Sequence, residues 1–148
     1  MGDSYTVLTM LDHPEFEPWL QEHGILLPTP RPASRYPTPR EMRRVLSQVP
    51  GYQMHDVFAP DGWDIGLDPV NGDRWPHAML WVHPWRGDWD LPHPFSFYKG
   101  DQELNIYLLQ CFTVFCGPLI FLSHSIFVPI LVTPETDLTQ SLIDAGYL

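Results

Sequence analysis

The sequence predicts an α+β fold: a mainly antiparallel sheet with a buried helix over about 101–116 and shorter flanking helices. Three observations predict it. Residues 52–100 show no helical periodicity and carry aromatic-rich pieces between Pro, Gly and Asp, the pattern of short strands joined by turns. Residues 101–116 follow Lys99-Gly100-Asp101 and are apolar nearly all round, as expected of a helix inside a core. The 17 Pro and 10 Gly among 148 residues interrupt any long helix, while 44% hydrophobic and 14% aromatic content supplies one core. A chain of this length buries roughly 70% of its extended surface, so residues 1–148 are expected to form a single domain without metal or disulfide staples.

Along the chain, Tyr5 to Leu11 is rich in strand formers and reads as a first strand or an ordered arm. Asp12 and Glu15 have capping-box spacing, with Pro14 in the first turn and Gly24 as a stop, which predicts a helix from about 14 to 23. Pro28, Pro30, Pro32, Pro37 and Pro39 around Arg31, Arg35 and Arg40 describe an extended Pro/Arg-rich arm at about 28–39 rather than a packed element. Thr38-Pro39-Arg40-Glu41 combines an N-cap, a Pro at the first helical position and a Glu three residues on. Met42, Val45, Leu46 and Val49 follow at helical spacing until Pro50-Gly51.

In the middle third, His77 to His83 alternates, with Ala78, Leu80 and Val82 on one side and His77, Met79, Trp81 and His83 on the other. That is a central strand, or one presenting an aromatic surface. On the helix after Asp101, Leu104, Leu108, Cys111, Phe112 and Phe115 share a face, and Gly117-Pro118 ends it. The runs 119–122 and 126–132 read as a hairpin, with Pro129 placing the second strand at an edge. Thr133-Pro134-Glu135 predicts a last helix with Leu138, Leu142 and Ile143 inward and Gly146 at its end.

With 8 Lys+Arg against 18 Asp+Glu, the formal charge of −10 argues against holding nucleic acid on a basic face. The charge is uneven: residues 1–30 carry −5, 31–44 carry +4 and 45–148 carry −9. The basic arm is therefore expected to fold back on the acidic body. No Lys or Arg occurs in residues 1–30, which does not suit a secretory signal, and Cys111 and Cys116 sit in an apolar stretch, so a reducing cytoplasm is expected. Residues 104–132 carry no formal charge, but Gly117-Pro118, Ser123-His124-Ser125 and Pro129 divide them into pieces too short to span a bilayer. No membrane is expected. Seven Arg beside one Lys and the small size suggest a bacterial source.

No catalytic signature is present: the chain lacks a nucleophile elbow, a P-loop, a dinucleotide fingerprint and a zinc-protease motif. Neither cysteine occupies a position that stabilises a thiolate, and in a strand His124 points away from Ser123 and Ser125. His77 and His83 would stand about 20 Å apart along a strand, too far to share an ion. His83 and His93 could meet across a hairpin with Asp88 or Asp90, forming a His/carboxylate pocket for a metal or small ligand, or they could be simple turn residues. No metal and no cofactor is predicted.

The acids Asp61, Asp64, Asp68 and Asp73 lie among glycines, and Trp63, Trp75, Trp81, Trp85 and Trp89 fall within 27 residues. So many indoles in a small domain either close the sheet with their N–H groups hydrogen-bonded to loops or form a protein-binding surface. On the second alternative, Trp63, Trp75, Trp85 and Trp89, with Asp61, Asp64, Asp68, Asp73, Asp88 and Asp90, are the candidate partner-binding residues, complementary to a basic protein.

A small, acidic, cysteine-poor, aromatic-rich α+β domain is similar in general character to immunity proteins of bacterial polymorphic toxin systems. The similarity covers size, charge and the late order of strand, Lys99-Gly100-Asp101 helix start, buried helix, Cys116-Gly117 stop, apolar strands and closing helix, roughly the last 55 residues. It implies a stoichiometric inhibitor that blocks the active site of a toxin, a basic partner domain, as a monomer or weak homodimer. The alternative is a small enzyme or ligand-binding domain using the His83/His93 pocket.

Overall fold

A computed structural model describes residues 4–10, 15–27, 32–71 and 77–148, with Lys99 by backbone only. Its elements are β1 (Tyr5–Thr9), α1 (Phe16–Glu22), α2 (Pro39–Leu46), β2 (Tyr52–Ala59), β3 (Gly62–Pro69), β4 (Ala78–Val82), β5 (Ser96–Gly100), α3 (Gln102–Cys116), β6 (Leu119–Ser123), β7 (Ile130–Val132) and α4 (Leu138–Asp144). The seven strands form one antiparallel sheet in the order β2-β3-β4-β5-β1-β6-β7. The expected α+β architecture is present, and β1 enters the sheet interior between β5 and β6 rather than lying on it as an arm.

The strand period of two decides which side chains face which layer. On the inner face, Trp63, Ile65 and Leu67 of β3 stand opposite Val82, Leu80 and Ala78 of β4, and all six are buried. Phe97, Tyr5, Val7 and Phe121 continue that layer across β5, β1 and β6. It packs against Ile106, Leu108, Leu109 and Phe112 of α3, with Met42 and Leu46 of α2 and Leu142 of α4 beside them. On the outer face a second, smaller cluster joins Leu20 of α1 to Met10 and Ile120, with Leu8 and Leu131 against it. Thus α1 covers the β1-β6-β7 end of the outer face.

The caps explain where the helices begin. Thr38 accepts the backbone N–H of Glu41, and Glu41 in turn accepts that of Thr38, completing the expected capping box. Asp101 caps α3 by accepting from the N–H of Leu104, and Gly117 ends it. The start of α1 departs from expectation: its N-cap is Glu15, without a side-chain cap, while Asp12 and Pro14 lie outside the described residues. For α4 the cap is Asp137, one turn later than Thr133-Pro134-Glu135 suggested, because the Thr136 hydroxyl accepts the N–H of Thr133 and donates to the carbonyl of Leu131, closing a separate turn first. Ile143 consequently points outward, and Leu142 alone of α4 is fully buried.

Three further expectations are corrected by packing. Strand β7 begins at Ile130 rather than 126, since Phe127 takes a positive φ of 59° and breaks the extended run. Helix α3 is not enclosed on all sides: Tyr107, Val114 and Phe115 are exposed and Cys111 is half-buried, so Phe115 leaves the predicted inner face. The Pro/Arg arm, within its described residues 32–39, is packed rather than free. Ser34, Pro37 and Pro39 are buried, and Ser34 Oγ donates to the carbonyl of Pro118 at 2.6 Å while accepting the N–H of Met10.

Of the basic stretch 31–44, Arg40 of α2 reaches the acidic body, while Arg35 pairs within the stretch itself. Arg35 donates to both carboxylate oxygens of Glu41, at 2.7 and 2.9 Å, and Arg40 pairs with Asp90 at 2.7 Å. Hydrogen bonding from Arg35 holds the Glu41 carboxyl below its ordinary 4.5, with burial opposing. A depressed carboxyl pKa stabilises the fold above the ordinary value, and the contribution disappears as pH falls through the depressed one. Because Arg35 is 41% exposed, its worth is about 1 kcal/mol or less. Glu41→Gln keeps the cap geometry and removes the charge. Its urea midpoint should lie below wild type at pH 7, and the gap should close toward pH 3; a gap independent of pH would refute the ion pair's contribution.

Candidate functional site

Strand alternation also sets what the uncovered part of the outer face displays. β3 sends Gly62, Asp64, Gly66 and Asp68 to this side, because Trp63, Ile65 and Leu67 take the core. Registers in the sheet then bring His55 opposite Gly66, Val57 and Trp81 opposite Asp64, and Met79 opposite Gly66. No helix of the described residues packs over this β2-β5 region.

The glycines admit the histidines. A Cβ at Gly66 would stand 2.3 Å from the His55 ring, and one at Gly62 would stand 2.2 Å from the His83 ring. Each imidazole therefore lies flat across a bare strand position beside a carboxylate: His55 Nε2 is 2.7 Å from Asp68 Oδ2, and His83 Nε2 is 3.2 Å from Asp64 Oδ1. Asp61 Oδ1 faces the other ring nitrogen of His83 at 3.8 Å. Trp81, 44% exposed, contacts the His83 ring at 4.6 Å and the Tyr98 ring at 5.5 Å between centroids. Burial and then the Asp64 charge push the Tyr98 hydroxyl above its ordinary value, so it stays protonated and able to donate.

At His83 the geometry does not suit proton transfer. A general base keeps one ring nitrogen for the reacting group, whereas both nitrogens of His83 face carboxylates. Elsewhere, Ser123 is buried with its Oγ accepting from the N–H groups of Ser125 and Ile126, while His124 bonds the Thr6 hydroxyl. Cys116 is a core side chain as expected and Cys111 is only half-buried; burial pushes the Cys116 thiol up to about 12 and raises that of Cys111. Among the described residues no three His, Cys, Asp or Glu side chains come close enough to hold a metal ion.

The expected contact residues divide. Asp61, Asp64 and Asp68 belong to the open face. Trp63 and Trp85 do not belong to any surface, which corrects their assignment as contact residues. Trp63 is 0% exposed on the inner face, its ring tilted against Trp85 at 5.6 Å and edge-on to Trp89 at 5.1 Å between centroids. Their N–H groups are satisfied locally, Trp63 by Asp56 at 2.9 Å and Trp85 by the carbonyl of Asp88 at 3.0 Å, which is the sheet-closing alternative. Trp89 is half-buried under Arg43 of α2, 5.4 Å from its ring. Asp88 and Asp90 organise the loop beside it, Asp88 accepting the N–H of Asp90. Trp75 and Asp73 lie outside the described residues.

The His83/His93 pairing does not form either. His93 places its two ring nitrogens 2.6 Å from the carbonyls of Pro94 and Pro84, while His83 turns to Asp64. Trp81, His55 and Tyr98 are the residues the sequence reading missed as a site. The alternation of 77–83 already put Trp81 and His83 together; what it lacked was which side α3 covers. Comparison with protein-family models, with curated proteins and with solved structures finds no match to this chain. Among the described residues no helix is long and apolar enough to cross a membrane, and residues 104–132 divide into α3 and two strands.

Proposed function

We propose that this domain is a stoichiometric protein-binding module of the immunity type, an inhibitor that covers a basic toxin domain in the cytoplasm with its open sheet face. The observation that carries this reading is the uncovered β2-β5 surface, where Trp81 stands exposed among Asp61, Asp64, Asp68 and Tyr98. An aromatic anchor amid acids supplies both elements of an interface: apolar area at the centre and charge that speeds encounter with a basic protein. The face is also rigid, since it stands on paired strands rather than loops.

The test begins with the tagged protein recovered from its own host and weighed intact by native mass spectrometry, which identifies the bound species. Changing Asp61, Asp64 and Asp68 together to Lys should then slow association with the captured protein at least tenfold at low salt and remove most of the salt dependence. Association unchanged in rate would refute this surface. One observation favours a second reading: a groove of about 410 Å³ beside the face, lined by Thr6, Leu8, Tyr36, Trp81, His83 and Ser96, is within the size of small-ligand sites. A small molecule retained in place of a protein would establish that alternative.

A further inference from the structure

The two edges of the sheet are guarded unequally. β7 is three residues long and follows Pro129, both of which blunt an edge. β2 runs for eight residues, Tyr52–Ala59, with no Lys, Pro or bulge. The register fixes which of its backbone groups are spare. The two-residue turn at Pro60-Asp61 joins Ala59 to Gly62, and the N–H of Val70 donates to the carbonyl of Gly51 at the far end. Bonded pairs therefore fall at the odd positions 51 to 59, and Pro69, lacking an N–H, stands opposite an even one. The N–H and C=O groups of Met54, Asp56 and Phe58 must point away from β3. Tyr52 turns its own N–H back to Val49. No backbone hydrogen bond from Met54, Asp56 or Phe58 to any other element is formed among the described residues.

Charge names the occupant. Residues 52–71 carry Asp56, Asp61, Asp64 and Asp68 and no Lys or Arg, so a second copy would set four carboxylates against four. We propose that β2 is a strand-addition site for an extended, basic segment of a partner protein. Main-chain bonds to Met54, Asp56 and Phe58 supply affinity, and Lys or Arg side chains on the outer face lie over His55 and Val57 toward Asp68 and Asp64. The inference rests on the reading of the domain as a binder of a basic protein and adds the mode of binding.

The experiment uses the full chain, labelled with nitrogen-15, and two synthetic peptides of alternating Lys and Val. One is unmodified; the other is N-methylated at two consecutive central residues, so that neither of its edges can pair. The unmodified peptide should slow amide exchange at least tenfold at Met54, Asp56 and Phe58 and leave the already bonded Gln53, His55 and Val57 unchanged. The methylated peptide should do neither. Equal binding of the two peptides, or protection confined to the surface around Trp81, would overturn strand addition while leaving the acidic face intact as a contact surface. Binding of neither would also overturn it, and the captured complex and charge-reversed variant described above then judge the functional reading separately. Concentration-dependent protection of β2 without peptide, accompanied by a doubled mass, would overturn it in favour of a homodimer.

Discussion

Replacing Trp63 by Ala should lower the stability of this domain by about 3–5 kcal/mol, the range for removing a large aromatic side chain from a packed core. The ring is wholly buried among Phe58, Trp85 and Trp89, and it stands on β3 opposite Val82. Truncation opens a void that three neighbouring aromatic rings cannot collapse into without leaving one another. It also strips Asp56 of the indole N–H that satisfies its carboxylate. Natural domains hold about 5–15 kcal/mol in total, so the urea midpoint should fall by a molar unit or more, or folding should fail. Trp81→Ala makes the contrast. Its side chain is 44% exposed, and removal should change stability by only about 1 kcal/mol while weakening capture of the partner at least tenfold. Equilibrium unfolding and partner titration on both variants decide the matter: a Trp63 variant as stable as wild type would refute the core assignment, and a Trp81 variant that binds normally would refute the surface one.

Gly117→Ala should be the most damaging of the small substitutions, costing about 2–4 kcal/mol. The residue ends α3 at φ +80°, a conformation an L side chain resists, and a Cβ there would lie 2.0 Å from the carbonyl oxygen of Ala33. That oxygen belongs to backbone and cannot swing aside. Around it the arm is fastened by three bonds: the Arg35 N–H to the Cys116 carbonyl at 3.0 Å, Arg35 Nη2 to the Phe115 carbonyl at 3.1 Å, and Ser34 Oγ to the Pro118 carbonyl. Relief of the clash requires the arm to lift and give up these contacts together. The variant should therefore melt earlier and be cleaved by trypsin after Arg35 well before the rest of the domain opens. Wild-type melting with an equally resistant arm would show that the contact yields cheaply.

Much of the fold was legible because the signals were local. The Thr38-Pro39-Arg40-Glu41 start of α2, the Asp101 cap of α3 and the alternation of Ala78, Leu80 and Val82 each depend on neighbours within a few residues. Errors arose where two segments compete for the same contact. Thr133-Pro134-Glu135 has the composition of a helix start, yet the Thr136 hydroxyl closes a turn against Thr133 and hands the cap to Asp137. The Pro/Arg arm looked unpacked because a segment without periodicity reveals no buried face, although Ser34 and Pro37 are buried against elements distant in the chain.

The candidate site divides along the same line. Sequence alone determined that this domain is acidic, rich in Trp, without a catalytic signature and built on an antiparallel sheet with one long helix. Only the tertiary structure decided which tryptophans are core. Trp63, Ile65 and Leu67 alternating with Gly62, Asp64, Gly66 and Asp68 already mark a core face on β3, but β4 carries apolar side chains on both faces and Trp85 lies in a loop, so nothing local places Trp81 or Trp85. The helix lies on the side where Ile106, Leu108 and Phe112 meet Trp63, Leu80 and Phe97. That long-range packing consigns Trp63 and Trp85 to the interior and leaves Trp81, His83, His55 and three aspartates on the part of the outer face that no helix of the described residues covers.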